Sequence, residues 1–522
     1  MDRSTHDSPP DPRPAPAGAA EEAVAAALDG VRPGLGPAYE AALEGARAAV
    51  LTRLWRALAF EPLPWVVGRE EGPDSLRLLL AGGGRLEGPR PDPYATDAYV
   101  TELRLDGRAY RQAARLVGAL RVPHGAAGPV GAAFASFAVE LDDSTASLAL
   151  SRAGRPPGER PEPGSTWEWE QRVVDGHPYH PNCRSRPGFS VAEQLAYAPE
   201  HGPLVELGLV PVRARECLVT GEWPGDLRDG DRILVPVHPW QAEHVLKGEE
   251  VLPGPVAHPL MALRTLAPAA GGAHVKTALS TRLTSSVRDI SAYSVETAAV
   301  VSAFAQELAG RLDGRLHITR TLGAATAYSP DLAAVLREDP EAYAGPGERV
   351  VPVAALAGTP LARSARWQAR FAALALSVCL RVLELGVALE AHGQNLLVVL
   401  GADGTPLRLV YRDLADIRIS PARLARHGLP VPPLSGRLVT DDETALRRKA
   451  FGSLAAGALA ATAGSRAAFG AALAQALDGL APTADAQALR GPLPVKALTL
   501  MRLSPGVSGD QWTLLPGPLA GE

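Results

Sequence analysis

Apolar residues recur at steps of three and four along residues 366–389, which predicts a long helix with one buried face. Two short apolar runs follow, at residues 396–400 and 407–411. The turn residues at 402–404, Ala-Asp-Gly, join these runs into a predicted β-hairpin. Helix, loop and hairpin therefore follow one another without a long connection.

This hairpin would bring the residues before its first strand, His392 and Asn395, close to Asp413 after its second strand. An amide oxygen and a carboxylate at one place suit a hard cation such as Mg²⁺, which commonly accompanies phosphates. The structural alternative is that His392 and Asn395 cap the helix while Asp413 pairs with Arg412 or Arg418. These residues favour metal-nucleotide chemistry without identifying the reaction.

Elsewhere the hydrophobic pattern predicts a mixture of helices and strands. The predicted helices are residues 21–60 with a break around 30–36, 108–120, 129–150, 294–312 and most of the chain after 441. The predicted strands are residues 76–80, 99–105, 232–237, 316–320 and 350–356. Residues 156–163, rich in Pro and Gly, predict a linker, and residues 496–502 an amphipathic segment before the tail.

The glycine-rich segment at residues 82–88 resembles a phosphate-binding loop only superficially. No Gly-Lys-Ser/Thr follows it, and Pro89 and Pro91 prevent a helix from starting there. We therefore predict a turn between two strands.

Composition narrows the class of protein. The chain has 522 residues, enough for several domains, and a net charge of −5, which gives no basic surface for nucleic acid. Its three cysteines suit a reducing compartment, and no apolar stretch predicts a membrane span, so we expect a cytoplasmic protein. Only four of the 52 basic Lys and Arg residues are lysine, so a lysine indicates a position where a compact ammonium is required.

Two His-Pro dipeptides, at His177 and His180, precede Arg184 and Arg186. Proline after each histidine forces an extended chain, and no cysteine or carboxylate completes a metal-ligand set. Two imidazoles beside two guanidiniums instead favour an anion site for a polycarboxylate or a phosphate. A purely structural His-Pro turn is the alternative.

A second cluster of donors lies in predicted adjacent antiparallel strands, with a helix expected to begin near Ser285. Its members are Arg264, Thr265, Lys276, Thr284, Ser285 and Arg288. Cations and hydroxyls at a helix start are the donors that triphosphate oxygens need. A solvated basic face is the alternative, but it leaves the hydroxyl groups unexplained.

Taken together, these segments resemble the siderophore synthetases that work without a peptide-synthetase assembly line, the family of the aerobactin synthetases. The resemblance covers about residues 165–503 and rests on seven motifs in the family's order. They are Gly176-His-Pro-x-His-Pro181, Val237-His-Pro-Trp-Gln241, Arg264-Thr-Leu with Lys276, Thr284-Ser-x-x-Arg288, Glu390-Ala-His-x-Gln-Asn395, Arg412-Asp413, and Lys496-Ala-Leu-x-x-Met-Arg502.

The resemblance implies an α+β fold in three parts like a cupped hand, with an antiparallel sheet in the fingers and a mostly helical palm carrying the hairpin. We accordingly expect a disordered leader at residues 1–20, a thumb at 21–163, fingers at 164–350 and a palm at 351–522. It also implies a homodimer. The implied activity is adenylation of citrate or a similar acid with ATP and Mg²⁺, followed by condensation with an amine, hydroxylamine or alcohol.

The resemblance also assigns roles to individual residues. Catalytic roles fall on Lys276, Arg288 and His392. ATP contacts fall on Arg264, Thr265, Lys276, Thr284, Ser285, Arg288, His392 and Gln394. Magnesium-side residues are Glu390, Asn395 and Asp413, and the acid substrate would face His177, His180, Arg184 and Arg288.

Three residues depart from the family pattern. Arg184 stands where lysine is frequent, Ala262 where a serine commonly precedes the Arg-Thr pair, and Asp416 where glycine is usual. A small-molecule phosphotransferase is an alternative, since His392-x-x-Asn395, the hairpin and Asp413 echo a kinase catalytic loop. That echo lacks the aspartate that a kinase uses as base. A non-catalytic anion-binding protein is a third reading, and only a synthetase would support ATP–pyrophosphate exchange.

Overall fold

The computed structural model describes residues 18–120, 128–155, 158, 161–284, 286–507 and 509–520. The predicted leader, apart from residues 18–20, lies outside this range, as do four positions of the predicted linker (156, 157, 159 and 160) and Ser285. None of the described helices is long and apolar enough to cross a membrane.

The first part of the structure combines four helices with a five-stranded antiparallel meander, β1 to β5 in order. The helices are α1 (Ala19–Val31), α2 (Gly36–Phe60), α3 (Ala113–Ala119) and α4 (Pro129–Ala153). The strands are β1 (Val66–Glu71), β2 (Ser75–Leu80), β3 (Arg85–Pro89), β4 (Leu103–Leu105) and β5 (Arg108–Tyr110).

Two boundaries in this part differ from the prediction. The strand expected at residues 99–105 forms only at its end, and the helix expected from residue 108 begins at Ala113 after strand β5. Asp106 and Gly107 both have positive φ angles and turn the chain between β4 and β5, which converts the start of the expected helix into a hairpin. The glycine-rich segment is the turn between β2 and β3, as predicted.

A nine-stranded antiparallel sheet occupies the middle of the chain, in the order β7-β16-β17-β12-β11-β10-β6-β9-β8. Its strands are β6 (Val205–Arg213), β7 (Leu218–Gly221), β8 (Arg228–Asp229), β9 (Arg232–Val237), β10 (Leu252–Pro259), β11 (Thr265–Pro268), β12 (His274–Thr277), β16 (Thr321–Ser329) and β17 (Leu332–Arg337). Strands β13 (Leu279–Leu283) and β14 (Ser286–Arg288) form a separate hairpin. The helices here are α5 (Thr166–Gln171), α6 (Val191–Tyr197), α7 (Pro239–His244), α8 (Ala292–Glu296) and α9 (Ala298–Ala309).

The helix expected near Ser285 is wrong. Thr284 has a φ of 61°, a left-handed conformation that turns the chain, and the residues on either side pair as β13 and β14. The next helix begins at Ala292 with Ser291 as its N-cap. Donors in this region therefore come from a hairpin and not from a helix N-terminus.

The last part is mostly helical around a small mixed sheet, β15-β21-β20-β18. The helices are α10 (Val353–Leu356), α11 (Ala365–Leu385), α12 (Pro421–Arg426), α13 (Glu443–Ser453), α14 (Ala460–Ala463), α15 (Arg466–Asp478), α16 (Ala484–Ala488) and α17 (Leu498–Leu503), and a π-helical segment (Leu454–Leu459) joins α13 to α14. The strands are β15 (Leu316–Ile318), β18 (Arg349–Pro352), β19 (Val387–Ala388), β20 (Leu396–Leu400), β21 (Pro406–Tyr411), β22 (Arg418–Ile419), β23 (Leu493–Lys496) and β24 (Trp512–Leu515).

The long helix α11 ends four residues earlier than its apolar pattern predicts. Gly386 follows it with a φ of 114°, and a Cβ there would lie 2.9 Å from the Leu424 nitrogen. Three other elements also differ: the strand at residue 350 gives way to helix α10, the helix at 294–312 is divided into α8 and α9, and β23 interrupts the helical C-terminal region. The predicted hairpin of β20 and β21 is confirmed.

Apolar side chains gather into three large cores. One lies among α1 to α4 and β1 to β5, one on the nine-stranded sheet, and one around α11. Helix α17, from the C-terminal region, packs in the first core against α2 and α4. The α+β class is confirmed, and the three-part division stays a prediction.

Candidate active site

A cavity of about 200 Å³ lies where the central sheet meets the β20–β21 hairpin. Its walls include most of the residues selected from the sequence: Arg184, Arg264, Thr265, Lys276, Thr284, Arg288, Glu390, His392, Gln394, Asn395 and Asp413. It adjoins a larger cleft of about 1110 Å³, which His177 and His180 line. The fold thus brings together donors that lie more than 100 positions apart in the sequence.

Strand register explains how the central sheet contributes to this cavity. Strands β11 and β12 pair antiparallel, with Thr265 opposite Lys276. Both side chains are buried and both line the cavity. Adjacent strands therefore present a hydroxyl and an ammonium side by side.

Asp413 sits between two cations at the end of the hairpin. Lys276 Nζ lies 2.8 Å from Asp413 Oδ2, and Arg337 Nη2 lies 2.8 Å from Asp413 Oδ1. Burial alone would raise the pKa of Asp413, but Arg337 and Lys276 outweigh it and hold that pKa well below its usual range. Asp413 therefore does not pair with Arg412 or Arg418.

Lys276 itself is destabilised as a cation. Its burial and the charge of Arg337 lower the pKa of the ammonium to about 7, although Asp413 acts in the opposite direction. Additional negative charge near this ammonium would stabilise its protonated form. The cavity therefore has a shortage of anionic groups.

Arg264 and Arg288 make this shortage larger. Arg264 donates to the carbonyl oxygens of Arg288 and Asp289, and Arg288 donates to that of Leu283. Among the described residues, neither guanidinium has a carboxylate within 4 Å. Burial and the neighbouring charge of Arg288 lower the pKa of Arg264 to about 10. An anionic ligand would give both guanidiniums the negatively charged partner that they lack among the described residues.

The backbone around the cavity adopts conformations that side chains other than glycine rarely take. Leu263, Thr284 and Asp413 have φ angles of 68°, 61° and 73°, and all three line the cavity. Such conformations persist only where the surrounding structure enforces them, and they cluster at functional sites. Asp413 and Thr284 are therefore held in position by strained turns.

Residues 390–395 form a tight loop before β20. The Asn395 backbone nitrogen donates to the His392 carbonyl at 2.9 Å, and the Asn395 carbonyl accepts from the Arg412 nitrogen at 3.0 Å. Asn395 Nδ2 lies 3.4 Å from both the Glu390 carbonyl and His392 Nε2. Burial lowers the pKa of His392, which keeps the imidazole neutral. His392 and Asn395 thus shape the loop and do not cap helix α11.

Glu390 has partners that the sequence did not suggest. Lys449, on α13, lies 3.0 Å from Glu390 and 2.5 Å from Asp416, and Lys496 lies 3.6 Å from Glu390. Asp416, the departure from the family pattern, thus shares a buried lysine with Glu390. Three of the four lysines, Lys276, Lys449 and Lys496, line the larger cleft.

Of the residues predicted to contact the acid, His180 and Arg184 lie in different environments. His180 is buried, its Nδ1 accepts from the Asn182 nitrogen, and its Nε2 has no hydrogen-bond partner among the described residues. Burial lowers its pKa to about 3, so the ring is neutral. Arg184 and Arg186 both point to the buried carboxylate of Glu200, at 3.7 and 2.7 Å. The anion site proposed from these two arginines already holds an internal carboxylate.

The sequence analysis did not identify three features of the site. They are Arg337, Lys449 and the ion pair between Arg412 and Glu170 at 2.6 Å. Lys449 carried a usable signal, since lysine is so rare in this chain. Arg337 carried none, because strand β17 was not recognised. The only described cluster of three metal-ligating His, Cys, Asp or Glu side chains is Glu193, Glu243 and His244, which lies outside this cavity.

The fold is similar to that of a solved petrobactin biosynthesis protein and of solved aerobactin synthetases. The petrobactin biosynthesis protein AsbB of Bacillus anthracis superposes with a TM-score of 0.76 over 93% of this chain and 98% of that one, at 19% identity. The ATP-bound aerobactin synthetase IucA of a hypervirulent Klebsiella pneumoniae superposes with a TM-score of 0.69, covering 91% and 99% of the two chains at 19% identity.

Two family models match separate segments of the chain. Residues 165–358 match the IucA / IucC family, and residues 365–491 match the family described as ferric iron reductase FhuF-like transporter. Among curated relatives, a 2-[(L-alanin-3-ylcarbamoyl)methyl]-3-(2-aminoethylcarbamoyl)-2-hydroxypropanoate synthase of Staphylococcus aureus is 24% identical over 48% of this chain and 51% of its own length. The chain spans about half the length of the curated relatives it matches.

Proposed function

We propose that this protein is an ATP-dependent siderophore synthetase. It activates a carboxylate of citrate or a related polycarboxylic acid as an acyl-adenylate and transfers the acyl group to an amine, hydroxylamine or alcohol. The carrying observation is the excess of buried and half-buried cations around Asp413, where Arg264 and Arg288, within the described part of the chain, hydrogen-bond only to carbonyl oxygens. A triphosphate supplies the negative charge that this arrangement lacks.

The chemistry explains why so many cations are needed. In the first step a carboxylate oxygen attacks the α-phosphorus of ATP, an O–P bond forms, and the bond to the β-phosphate oxygen breaks to release pyrophosphate. Both reactants are anions, so their repulsion raises the barrier. In the second step the nucleophile attacks the acyl carbon, loses its proton, and releases AMP.

Most of the residues predicted to contact ATP have a place in this scheme. Lys276, Arg264 and Arg288, together with Arg337, stabilise the charge on the phosphorus and on the departing pyrophosphate. Thr265, Thr284 and Gln394 line the same walls and supply neutral hydrogen bonds. His392, kept neutral, would hydrogen-bond the α-phosphate and the acyl-adenylate.

Magnesium fits part of the predicted ligand set. Asn395 turns its Nδ2 toward the Glu390 carbonyl, which leaves Oδ1 as the atom for a cation, and Asp413 adds a carboxylate. A hard cation held by one or two side chains and by phosphate oxygens is the usual arrangement for Mg²⁺, which would offset charge on the phosphates. Both acids are ion-paired, but the partners of Asp413, Lys276 and Arg337, line the cavity and would turn to bound phosphates. Lys449 and Lys496, which hold Glu390, do not line the cavity, so we assign the magnesium to Asp413 and Asn395.

We further propose a cytoplasmic homodimer without a nucleic-acid or membrane partner. The dimer rests on the family resemblance. The three cysteines, Cys183, Cys217 and Cys379, are buried free thiols, which suits a reducing compartment.

Acid-dependent ATP–pyrophosphate exchange tests this function. Purified protein with Mg²⁺ and labelled pyrophosphate is screened against citrate and a panel of carboxylic acids, and hydroxylamine traps any acyl-adenylate as a hydroxamate. We expect exchange with at least one polycarboxylic acid, and its loss in Lys276→Met. Release of ADP in place of AMP would instead identify a phosphotransferase.

A further inference from the structure

Helix α2 places on the wall of the larger cleft two arginines to which no ATP contact is assigned. Arg53 and Arg56 lie one helical turn apart, and both line the larger cleft together with Lys276 and His392. Among the described residues, neither has a carboxylate within 4 Å. Guanidiniums withdrawn from water without an acidic partner are costly, and such groups mark ligand sites.

The guanidinium of Arg56 is held in an orientation suited to binding a planar anion. Its Cζ lies 4.2 Å from the centre of the Tyr179 ring, so the guanidinium is held against an aromatic face. Its Nε donates to the Pro93 carbonyl at 2.6 Å. The two Nη atoms have no hydrogen-bond partner among the described residues. An edge with up to four free N–H groups matches the two oxygens of a carboxylate.

Arg53 supports this position from one turn away. It donates to the carbonyls of Pro178 and Asp175, at 3.0 and 3.3 Å, and to the Cys183 sulfur at 3.4 Å. These bonds tie helix α2 to the loop that carries His177 and His180. Arg53 is 6% exposed, and its charge adds to that of Arg56.

The two arginines adjoin the place where the acid would react. Burial lowers the pKa of His177, and the protonated forms of His180 and His392 together with the charges of Arg53 and Arg56 would lower it further, so all four groups are within electrostatic range of this ring. The buried Nε2 of His180, which has no described partner, belongs to the same cleft. A chain of polar groups thus leads from His392 past His177 to Arg56.

We propose that Arg56, supported by Arg53, binds a second carboxylate of the acid substrate while the first carboxylate reacts beside His392. This subsite selects di- and tricarboxylic acids over monocarboxylic acids. The inference rests on the proposed function and names the part of the cleft that sets its acid specificity.

Binding measurements test the subsite without requiring turnover. Citrate and the monocarboxylate 2-hydroxyisobutyrate are titrated calorimetrically, with and without a non-hydrolysable ATP analogue, into the wild type, Arg56→Gln and Arg56→Lys. We expect Arg56→Gln to weaken citrate binding about 10- to 100-fold, since charge-assisted hydrogen bonds are lost. Arg56→Lys keeps the charge without the planar edge and should be intermediate. Binding of 2-hydroxyisobutyrate should be equally weak in all three proteins.

Lys276→Met is the matched reciprocal control. It should lose affinity for the ATP analogue and retain citrate binding, whereas Arg56→Gln should do the opposite. Circular dichroism and the thermal midpoint establish that each variant is folded. If Arg56→Gln does not fold, the comparison of Arg56→Lys with the wild type decides the question.

The outcomes separate this inference from the proposed function. Citrate affinity unchanged in folded Arg56→Gln, or an equal loss of citrate and ATP analogue, overturns the subsite. A wild type that binds no di- or tricarboxylate also overturns it. Citrate binding that depends on Arg56 in a protein showing no acid-dependent pyrophosphate exchange leaves the subsite standing and removes the synthetase function.

Discussion

Lys276 on strand β12 donates to Asp413 at 2.8 Å across 137 positions of the chain. This contact joins the central sheet to the hairpin of the last part and closes the cavity wall. In the free protein Asp413 partly neutralises Lys276 and Arg337. A bound triphosphate would compete for those cations, and a bound metal ion would compete for the carboxylate, so nucleotide and metal should bind more tightly together than separately.

Removing a cation from this cluster should reduce adenylation strongly. We expect Lys276→Met and Arg337→Met each to lower the rate of pyrophosphate exchange on the order of 10²- to 10³-fold, the usual effect of losing one charge-stabilising donor. Lys247→Met is the control, because Lys247 is exposed and lines neither the cavity nor the larger cleft. Equal activity in Arg337→Met and the wild type would remove Arg337 from the site.

Magnesium dependence should distinguish Asp413 from Glu390. Asp413→Asn removes a negative ligand, so the Mg²⁺ concentration for half-maximal exchange should rise about tenfold or more. Glu390→Gln should leave that concentration within about twofold of the wild type, because Glu390 stays paired with Lys449 and Lys496, which do not line the cavity and so would not turn to bound phosphates. A Mg²⁺ titration of both variants measures this. A larger shift in Glu390→Gln than in Asp413→Asn would restore Glu390 as the metal ligand.

The sequence anticipated which residues would gather in this cavity better than it anticipated the elements around them. The pairing of β20 with β21 followed from two apolar runs and a turn, so the approach of Asn395 to Arg412 and Asp413 could be anticipated. Lys276 and Arg264 were selected from the sequence because each is a charged residue in or beside a predicted strand. Their actual partners could not be anticipated, because ion pairs between distant strands depend on the sheet order, which no local pattern encodes.

Local backbone conformation was the second feature that could not be predicted from the sequence. The turn at Thr284 depends on a positive φ in a residue that seldom adopts one, and the hydroxyl cluster around it favoured a helix N-terminus in the sequence. The end of α11 was marked by Gly386, but apolar residues continue beyond it because β19 is also buried. Arg53 and Arg56 lay within an ordinary amphipathic helix, where arginine normally faces solvent.

Glu61 should make the stability of the protein depend on pH. Burial raises its pKa to about 7 from an ordinary 4.5, while it accepts hydrogen bonds from the backbone nitrogens of Thr499 and Leu500. Between these two values the folded protein retains a proton that the unfolded chain releases, so the free energy of unfolding falls as the pH rises. The loss is on the order of 2–3 kcal/mol.

Thermal midpoints at pH 5 and pH 8 measure this effect. Glu61→Gln keeps a hydrogen-bond acceptor for α17 but does not titrate, so its midpoint should change less between the two pH values than that of the wild type. The difference between the two proteins isolates Glu61 from the buried histidines, whose pKa values are lowered and whose contribution has the opposite sign. Parallel pH profiles would contradict the assignment.

Lys449 should be a positioning residue for both ends of the hairpin. Its ammonium, 3% exposed on the side chain, bridges Glu390 before β20 and Asp416 after β21, and Ser453 on the same helix donates to the Leu389 carbonyl at 3.2 Å. Lys449→Met leaves Glu390 with Lys496 and Asp416 with Arg418, so each partly buried carboxylate loses one of its two described cations, at a cost of about 1–3 kcal/mol in stability. We expect kcat for exchange to fall about tenfold or more with KM for ATP within about threefold, because Lys449 is not among the assigned phosphate contacts.

Amide hydrogen exchange gives a readout that does not depend on turnover. In Lys449→Met the amides of residues 390–396 should exchange faster, because the loop loses its connection to α13. Lys449→Met combined with Asp416→Asn should restore part of the protection, since the second change removes one of the two carboxylates that have lost Lys449, and Lys247→Met should match the wild type. If the double variant were no better protected than Lys449→Met, charge balance between Glu390 and Asp416 would not be what holds the loop.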